Sequence, residues 1–366
     1  MDLLTCPIIS VDVRVWRFRS FILRHNAMRY ICIIPVGLMN VFLCINIYQT
    51  WGNLVEMIFD TFYDVFSPIR LYLSCATVPF LGNVASVYEE LQTIDDRVVQ
   101  SLIASLTRKA RKLSIGNLSA SIIVCTCYVV YPLLTSNRRL PHNMDIPGVN
   151  VLDSPQYEIL YIIQGLLTIP ACCMYLPFTN IFSSVTLFGL IQIKTLQHQL
   201  ATFKVTTSES LNTTVNKFIE DHLRIITYVE DINALVANIC FVEFVLFVML
   251  LCASLFFLNI IKSQFQMVII LVYIFMIVVQ VFVFYWHANE VREASKEIAN
   301  AAYDGPWYEA DQSIKKNHKK LLLIALRAQR PLEVTLGNVY SMTLEMFQTL
   351  LKVSYTYFTV LGQISD

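Results

Sequence analysis

The stretch KVSYTYFTVLGQ, residues 352–363, is apolar enough to enter a membrane, yet it carries Lys352, Thr356, Thr359 and Gln363 at intervals of four, three and four. Such intervals place side chains on one face of a helix. Read backwards, Thr349 and Glu345 continue the stripe, while Leu350, Leu351, Val353, Tyr357, Phe358 and Leu361 cover the rest of the surface. In lipid, a polar face must look at protein or water. The spacing therefore predicts a closing helix with one side turned away from hydrocarbon.

The whole chain shares this bias. Of its 366 residues 56% are hydrophobic and only 15% charged, too apolar a balance for an average soluble domain. An integral membrane protein is the class that fits. Formal net charge is zero, so no basic surface points to nucleic acid. The N-terminus, MDLLTCPIISVDVRVWRFRSF, has Asp2 where a secretory signal would carry positive charge, and the chain is expected to keep it. Nine of the ten cysteines, Cys32 through Cys252, fall in apolar segments and the tenth is Cys6, a distribution unlike a disulfide framework.

Windows of about 20 residues find apolar segments near 30–48, 57–83, 114–134, 157–190, 235–261, 267–287 and 334–362. The fourth raises a question of counting. No charge interrupts it between Glu158 and Lys194, and Pro170 and Pro177 mark either kinks or a hairpin. Charge placement favours one span. With seven spans and a cytoplasmic N-terminus, 22 Lys/Arg lie in cytoplasmic segments and three (Arg138, Arg139 and Lys262) in external loops. That is the positive-inside pattern. The expected fold class is an all-α integral membrane protein of seven transmembrane helices, N-terminus cytoplasmic and C-terminus extracellular.

Three segments, 84–113, 194–234 and 288–330, extend the spans as helix-forming sequence and are expected to make a cytoplasmic anchor layer in one transmembrane domain, 1–366. The orientation opposes that of a G-protein-coupled receptor. The DDRV at 95–98 imitates the acidic-Arg motif of that class but follows the second span, and chance accounts for it better. A secondary transporter would need broken helices in symmetry-related places, for which Pro170 and Pro177 are the only hints.

The segment WHANEVREASKEIANAAYDGPWYEAD, 286–311, followed by Ala328-Gln329-Arg330-Pro331 and by Ser354-Tyr355-x-Tyr357-Phe358, resembles the C-terminal signature of the insect odorant receptors. Thr356-Tyr357, five residues and then Gln363 also resemble the ending of the related gustatory receptors, with Ile364 in place of phenylalanine. A gustatory-type channel is therefore the alternative within one chemoreceptor superfamily.

The resemblance implies a subunit of a tetrameric, ligand-gated, non-selective cation channel in the plasma membrane of olfactory sensory neurons. Its partners would be an olfactory co-receptor of the same fold, or copies of itself, together with a small volatile odorant, membrane lipid and permeant cations. No cofactor is implied. The last helix of each subunit would line the pore, with Val360 at the position of the family's hydrophobic gate, Gln363 at its constriction and Thr356 on the same wall. Lys352 is expected to pair with a carboxylate, Glu345 being a candidate, or to sit where the conduit is wide. The pocket would lie in the outer half of the bundle among spans two, three, four and six. Phe62, Phe66, Tyr128, Tyr131, Gln164, Thr168, Tyr273 and Met276 are its candidate lining residues.

Remaining polar features have simpler readings. Arg70 in SPIRLYLSC either anchors a pocket carbonyl or, in the simpler reading, snorkels or pairs with an acid such as Asp64. Glu220, Asp221, His222 and Arg224 lack a second histidine at metal-ligand spacing and read as helix packing, as do His287, Glu290 and Glu293. No metal site is expected. No nucleophile motif or phosphate loop supports an enzyme.

Overall fold

A computed structural model of the chain describes residues 6–9, 81, 83–134, 140, 150–203, 208–260, 264–306 and 315–365. A helical stretch at 83–92 leads into α1 (Arg97–Leu134), α2 (Gln156–Thr202), α3 (Ser208–Ile260), α4 (Gln264–Asp304), α5 (Lys315–Ala328), the strands β1 (Thr335–Leu336) and β2 (Tyr340–Ser341), and α6 (Leu344–Ser365). Phe62, Phe66, Arg70, the first apolar segment and nearly all of the second lie outside the described residues.

Helix length is the first fact to explain. At about 1.5 Å per residue, the 53 residues of α3 extend roughly 80 Å. A hydrocarbon core of about 30 Å needs only about 20 residues, so more than half of α3 is surplus to a crossing. Among the described residues, Leu211–Phe256 and Ile270–Asp304 are long and apolar enough to cross a membrane. The fourth apolar segment is one continuous helix, because α2 runs through both Pro170 and Pro177. A hairpin there is excluded.

Exposure separates the two ends of the bundle. Toward one end the large exposed side chains are apolar, among them Ile122, Ile123 and Leu133 on α1, Ile162 and Leu166 on α2, and Val272 and Phe275 on α4. A lipid surface accepts such a face, whereas water does not. Toward the other end, charged side chains cover the helices and a packed core fills the interior. There α2 is surrounded on all sides: every residue from Asn180 to Ile193 is buried. Phe182 stacks on Phe284 of α4 with centroids 4.6 Å apart, and Phe188 meets Tyr228 of α3 edge-on at 5.6 Å. Each such side chain contributes about 1.5–3 kcal/mol by leaving water, so this end is the stable part of the fold.

Polar detail fixes the ends of elements. Asp96 caps α1, its Oδ1 accepting the Val98 N–H at 2.8 Å while Oδ2 meets His198 Nε2 of α2 at 2.9 Å. The acidic residue of DDRV is thus a helix cap. The seventh apolar segment, read as one span over 334–362, is not one helix. Its first residues form an antiparallel hairpin, Thr335 opposite Ser341 and Leu336 opposite Tyr340, and α6 starts at Leu344. Gly337 and Asn338 both have φ of 59°, the left-handed conformation a tight hairpin turn demands.

Candidate functional site

The sides of α6 are unequal. Leu350 and Ser354, 0% and 2% exposed, face the chain's other helices. Phe347, on the same side, packs edge-on against Phe282 of α4 with centroids 5.5 Å apart. Glu345, Thr349, Lys352, Thr356 and Val360 are exposed, and Thr359 is half-buried. The polar stripe therefore lies on the side turned away from the core of the bundle. Its hydroxyls are satisfied within the helix: Thr349 donates to the Glu345 carbonyl at 3.0 Å, Thr356 to Lys352 at 2.9 Å, and Thr359 to Thr356 at 2.8 Å. Each hydroxyl oxygen keeps lone pairs with which to accept a further hydrogen bond. Lys352 makes no ion pair among the described residues, with Glu345 or any other acid. The side chains of Leu361 and Gln363 lie outside those described.

The hairpin ties the foot of α6 to α3 and α4, a role that window-averaged hydropathy missed. Asn233 of α3 donates to the Glu333 carbonyl at 2.7 Å and accepts the Thr335 N–H at 2.9 Å, while the Gly337 N–H reaches the Ala237 carbonyl at 2.8 Å. From α4, Arg292 Nε donates to Glu333 Oε1 at 2.6 Å, Ser295 accepts the Leu332 N–H at 2.9 Å, and Ser341 of β2 hydrogen-bonds the second Glu333 oxygen. Partial burial would raise the Glu333 carboxyl, but the hydrogen bonds from Ser341 and Arg292 and the guanidinium charge hold it below the usual range. The Glu333 bond also pushes Arg292 upward. A second feature missed from sequence is Glu243, a carboxyl only 5% exposed inside the apolar run of α3. An acid within such a run was the available signal.

The ligand-pocket candidates divide three ways. Gln164 of α2 is 1% exposed and so faces the interior. Close by, Tyr161 donates its hydroxyl to the Val129 carbonyl of α1, and a Cβ on Gly165 would stand 3.6 Å from Val129. Helices α1 and α2 are thus in contact beside Gln164. Met276 of α4 is half-buried. Tyr128, Tyr131, Thr168 and Tyr273 lie on described helices, but their side chains are outside the described set, as Phe62 and Phe66 are entirely.

The charged clusters serve packing. Lys109 of α1 pairs with Glu290 of α4 at 2.9 Å, and Arg224 of α3 with Glu90 at 2.9 Å. His222 is buried, and burial with the nearby Arg327 charge lowers its pKa to about 4. Burial raises the neighbouring Asp221 carboxyl. No group of three or more potential metal ligands occurs among the described residues.

Comparison with known proteins adds an independent finding. A sequence profile described as 7tm Odorant receptor matches residues 84–355. Odorant receptor 10 of Aedes albopictus is 52% identical over 99% of both chains, and Odorant receptor Or2 of Anopheles gambiae 42% identical over 98% of both. Odorant receptor 30a of Drosophila melanogaster is 32% identical over 100% of this chain and 98% of its own. Among solved structures, the insect olfactory receptor OR5 from Machilis hrabei in complex with eugenol superposes with a TM-score of 0.79, covering 93% of this chain and 89% of that one. Identity there is 18%, so this likeness concerns the all-helical fold.

Proposed function

We propose that this chain, which belongs to the insect odorant receptor family, is the odorant-binding subunit of a ligand-gated, non-selective cation channel. Odorant receptor function in olfaction, a membrane receptor's role and not an enzyme's, follows from the family. The proposal adds seven crossings with the N-terminus inside, assembly as a tetramer, usually with an olfactory co-receptor, and residence in the plasma membrane of olfactory sensory neurons.

One observation carries the channel reading. The side of α6 that its own subunit leaves uncovered bears Thr349, Lys352, Thr356 and Val360 in helical register. Four copies of that face around an axis would enclose a conduit, hydroxyl-lined below and narrowed by a ring of Val360. A narrow apolar ring blocks ions by dewetting, and Gln363 would meet the ion just beyond it. Exposed Lys352 then belongs to a wide part of the path, where its charge is screened.

For the ligand, the proposed site is the outer half of the bundle among the second apolar segment, α1, α2 and α4. Buried Gln164 would supply a hydrogen bond, and Met276, Phe62, Phe66, Tyr128, Tyr131, Thr168 and Tyr273 complete the candidate lining. Such a cage suits a small volatile molecule, apolar or aromatic, bound through burial and oriented by one polar contact. That the structurally similar OR5 was solved with eugenol supports this class.

The test is whole-cell recording from cells expressing the chain with and without an olfactory co-receptor while a volatile panel is applied. A cation current evoked by odorant within milliseconds is the expected result. An N-terminal epitope labelled on intact cells, with responses requiring a G protein, would overturn the proposal.

A further inference from the structure

Between the foot of α6 and the helices beneath it lies a small cavity of about 20 Å³. Phe247 of α3, Phe284 of α4, Leu336 of β1 and Leu350 of α6 give it apolar walls. Two polar side chains interrupt them: Glu243 of α3 and Tyr285 of α4, 5% and 3% exposed. The Tyr285 hydroxyl makes no hydrogen bond to any described residue. The large majority of buried side-chain hydroxyls have a hydrogen-bond partner, from protein or from ordered water. The volume exceeds the roughly 10–15 Å³ that one buried water requires. Cavities that stay dry are wholly apolar, whereas this one offers two polar contacts, the minimum a buried water uses.

We propose that this cavity is a binding site for one water molecule, held by the Tyr285 hydroxyl and the Glu243 carboxyl, that bridges α4 to α3 where the hairpin hands the chain to α6. The bridge satisfies the phenol and ties it to the Glu243 carboxyl across the cavity. It also fixes what α6 rests on. Leu350 walls the cavity, and Phe347 lies on the Tyr285 ring with centroids 6.1 Å apart, so the spacing of α3 and α4 is transmitted to the first turns of α6. The site stands on this geometry and is independent of the channel proposal.

A cavity-filling substitution gives the test. Val281 lines the cavity, and Val281→Ile places a further methyl where the water would sit. The thermal midpoint of the purified full-length protein is measured for Val281→Ile, Tyr285→Phe and the double variant. With water bound, Val281→Ile lowers the midpoint in the native background and lowers it less, or raises it, beside Tyr285→Phe, where the hydroxyl is already gone. The same shift in both backgrounds would mean a dry cavity and overturn the proposal. Should Tyr285→Phe fail to fold, a high-resolution cryo-electron microscopy map of the unmodified protein decides. Density within hydrogen-bonding distance of Tyr285 Oη supports the site, and a map resolving other buried waters but none here refutes it.

Discussion

Replacing Glu333 by alanine should loosen the hairpin without unfolding the bundle. The carboxylate accepts from Arg292 at 2.6 Å and from Ser341, and the Arg292 and Glu333 side chains are 30% and 26% exposed. A hydrogen bond to a charged group contributes about 1.5–3 kcal/mol, and partial exposure favours the lower end. Arg292 would keep only its 3.2 Å contact with half-exposed Glu293, a weak substitute. A loss of about 2 kcal/mol corresponds to a roughly 30-fold larger local opening constant. Hydrogen exchange reads this at defined amides: Thr335 N–H on Asn233 Oδ1, Gly337 N–H on the Ala237 carbonyl and Met342 N–H on the Val334 carbonyl. Their protection should fall about 30-fold while amides around Phe188 in α2 hold theirs. Glu333→Gln, which keeps an acceptor and loses the charge, should fall between. The pH dependence has a definite sign: the folded carboxyl lies below its ordinary value, so the contribution is present above that value and disappears as pH falls through the folded one. Unchanged protection at Thr335 and Met342 in Glu333→Ala would show that the backbone ladder and Asn233 hold the hairpin without the clamp, and would refute this reasoning.

Gly337→Ala should lower the thermal midpoint, because φ is +59° and the new Cβ would stand 3.3 Å from Phe241, costing about 1–2 kcal/mol; Gly116→Ala, in open space on α1, should not. His222 titrates near 4 in the folded chain against 6.5 unfolded, so acidification between those values removes on the order of 1–3 kcal/mol of stability, and His222→Leu should flatten that slope in pH-dependent melting. In patch-clamp recording, Val360→Ser should raise current without odorant, Gln363→Glu or Gln363→Lys should change cation permeability, and Leu361→Ser should do less to basal current; leak from Leu361→Ser alone would move the conduit to another face. Neither sequon should carry a glycan: Asn212 accepts from Lys320 at 2.8 Å at the anchor end and Asn117 donates to Asn180 at 2.7 Å, so glycosidase should leave gel mobility unchanged.

What was legible in the sequence was whatever one helix expresses by itself. The stripe on α6 follows from spacings of three and four; the uncharged run between Glu158 and Lys194 left one helix or a hairpin open, and the placement of Lys and Arg along the chain favoured the single helix that α2 is. Hydropathy averaged over a window is blind to backbone dihedrals, so Val334–Met342 merged with the helix that follows it. Gly337-Asn338 was the punctuation that marks the turn. Asp96 looked like part of a borrowed motif because its roles are a local cap and a bond to His198, 102 positions away. Long-range partners of this kind leave no periodic trace. Arg292 with Glu333, Lys109 with Glu290 and Glu243 beside Tyr285 each join residues that only the packing of α1, α3, α4 and the segment before β1 brings together. The proposed ligand pocket is the extreme case, since its candidates come from four separate segments.

The distribution of restraint along α6 bears on how such a helix would work. Its foot is held by the Glu333 clamp, by Asn233, and by Leu350 and Ser354 buried against α3 and α4. Beyond Ser354 no described side chain of α6 is buried: Tyr355, Thr356, Tyr357 and Val360 are exposed, and Phe358 and Thr359 half-buried. Free energy of local opening tracks buried apolar contact, so the foot is the rigid end and the far end the compliant one. In the proposed tetramer, the far end would take its position from neighbouring subunits and from helices that sense the odorant, more than from its own core. A ring at Val360 is then placed where a small difference in packing free energy moves it most. A ring at Leu350 would have to drag the clamp and the cavity beneath it.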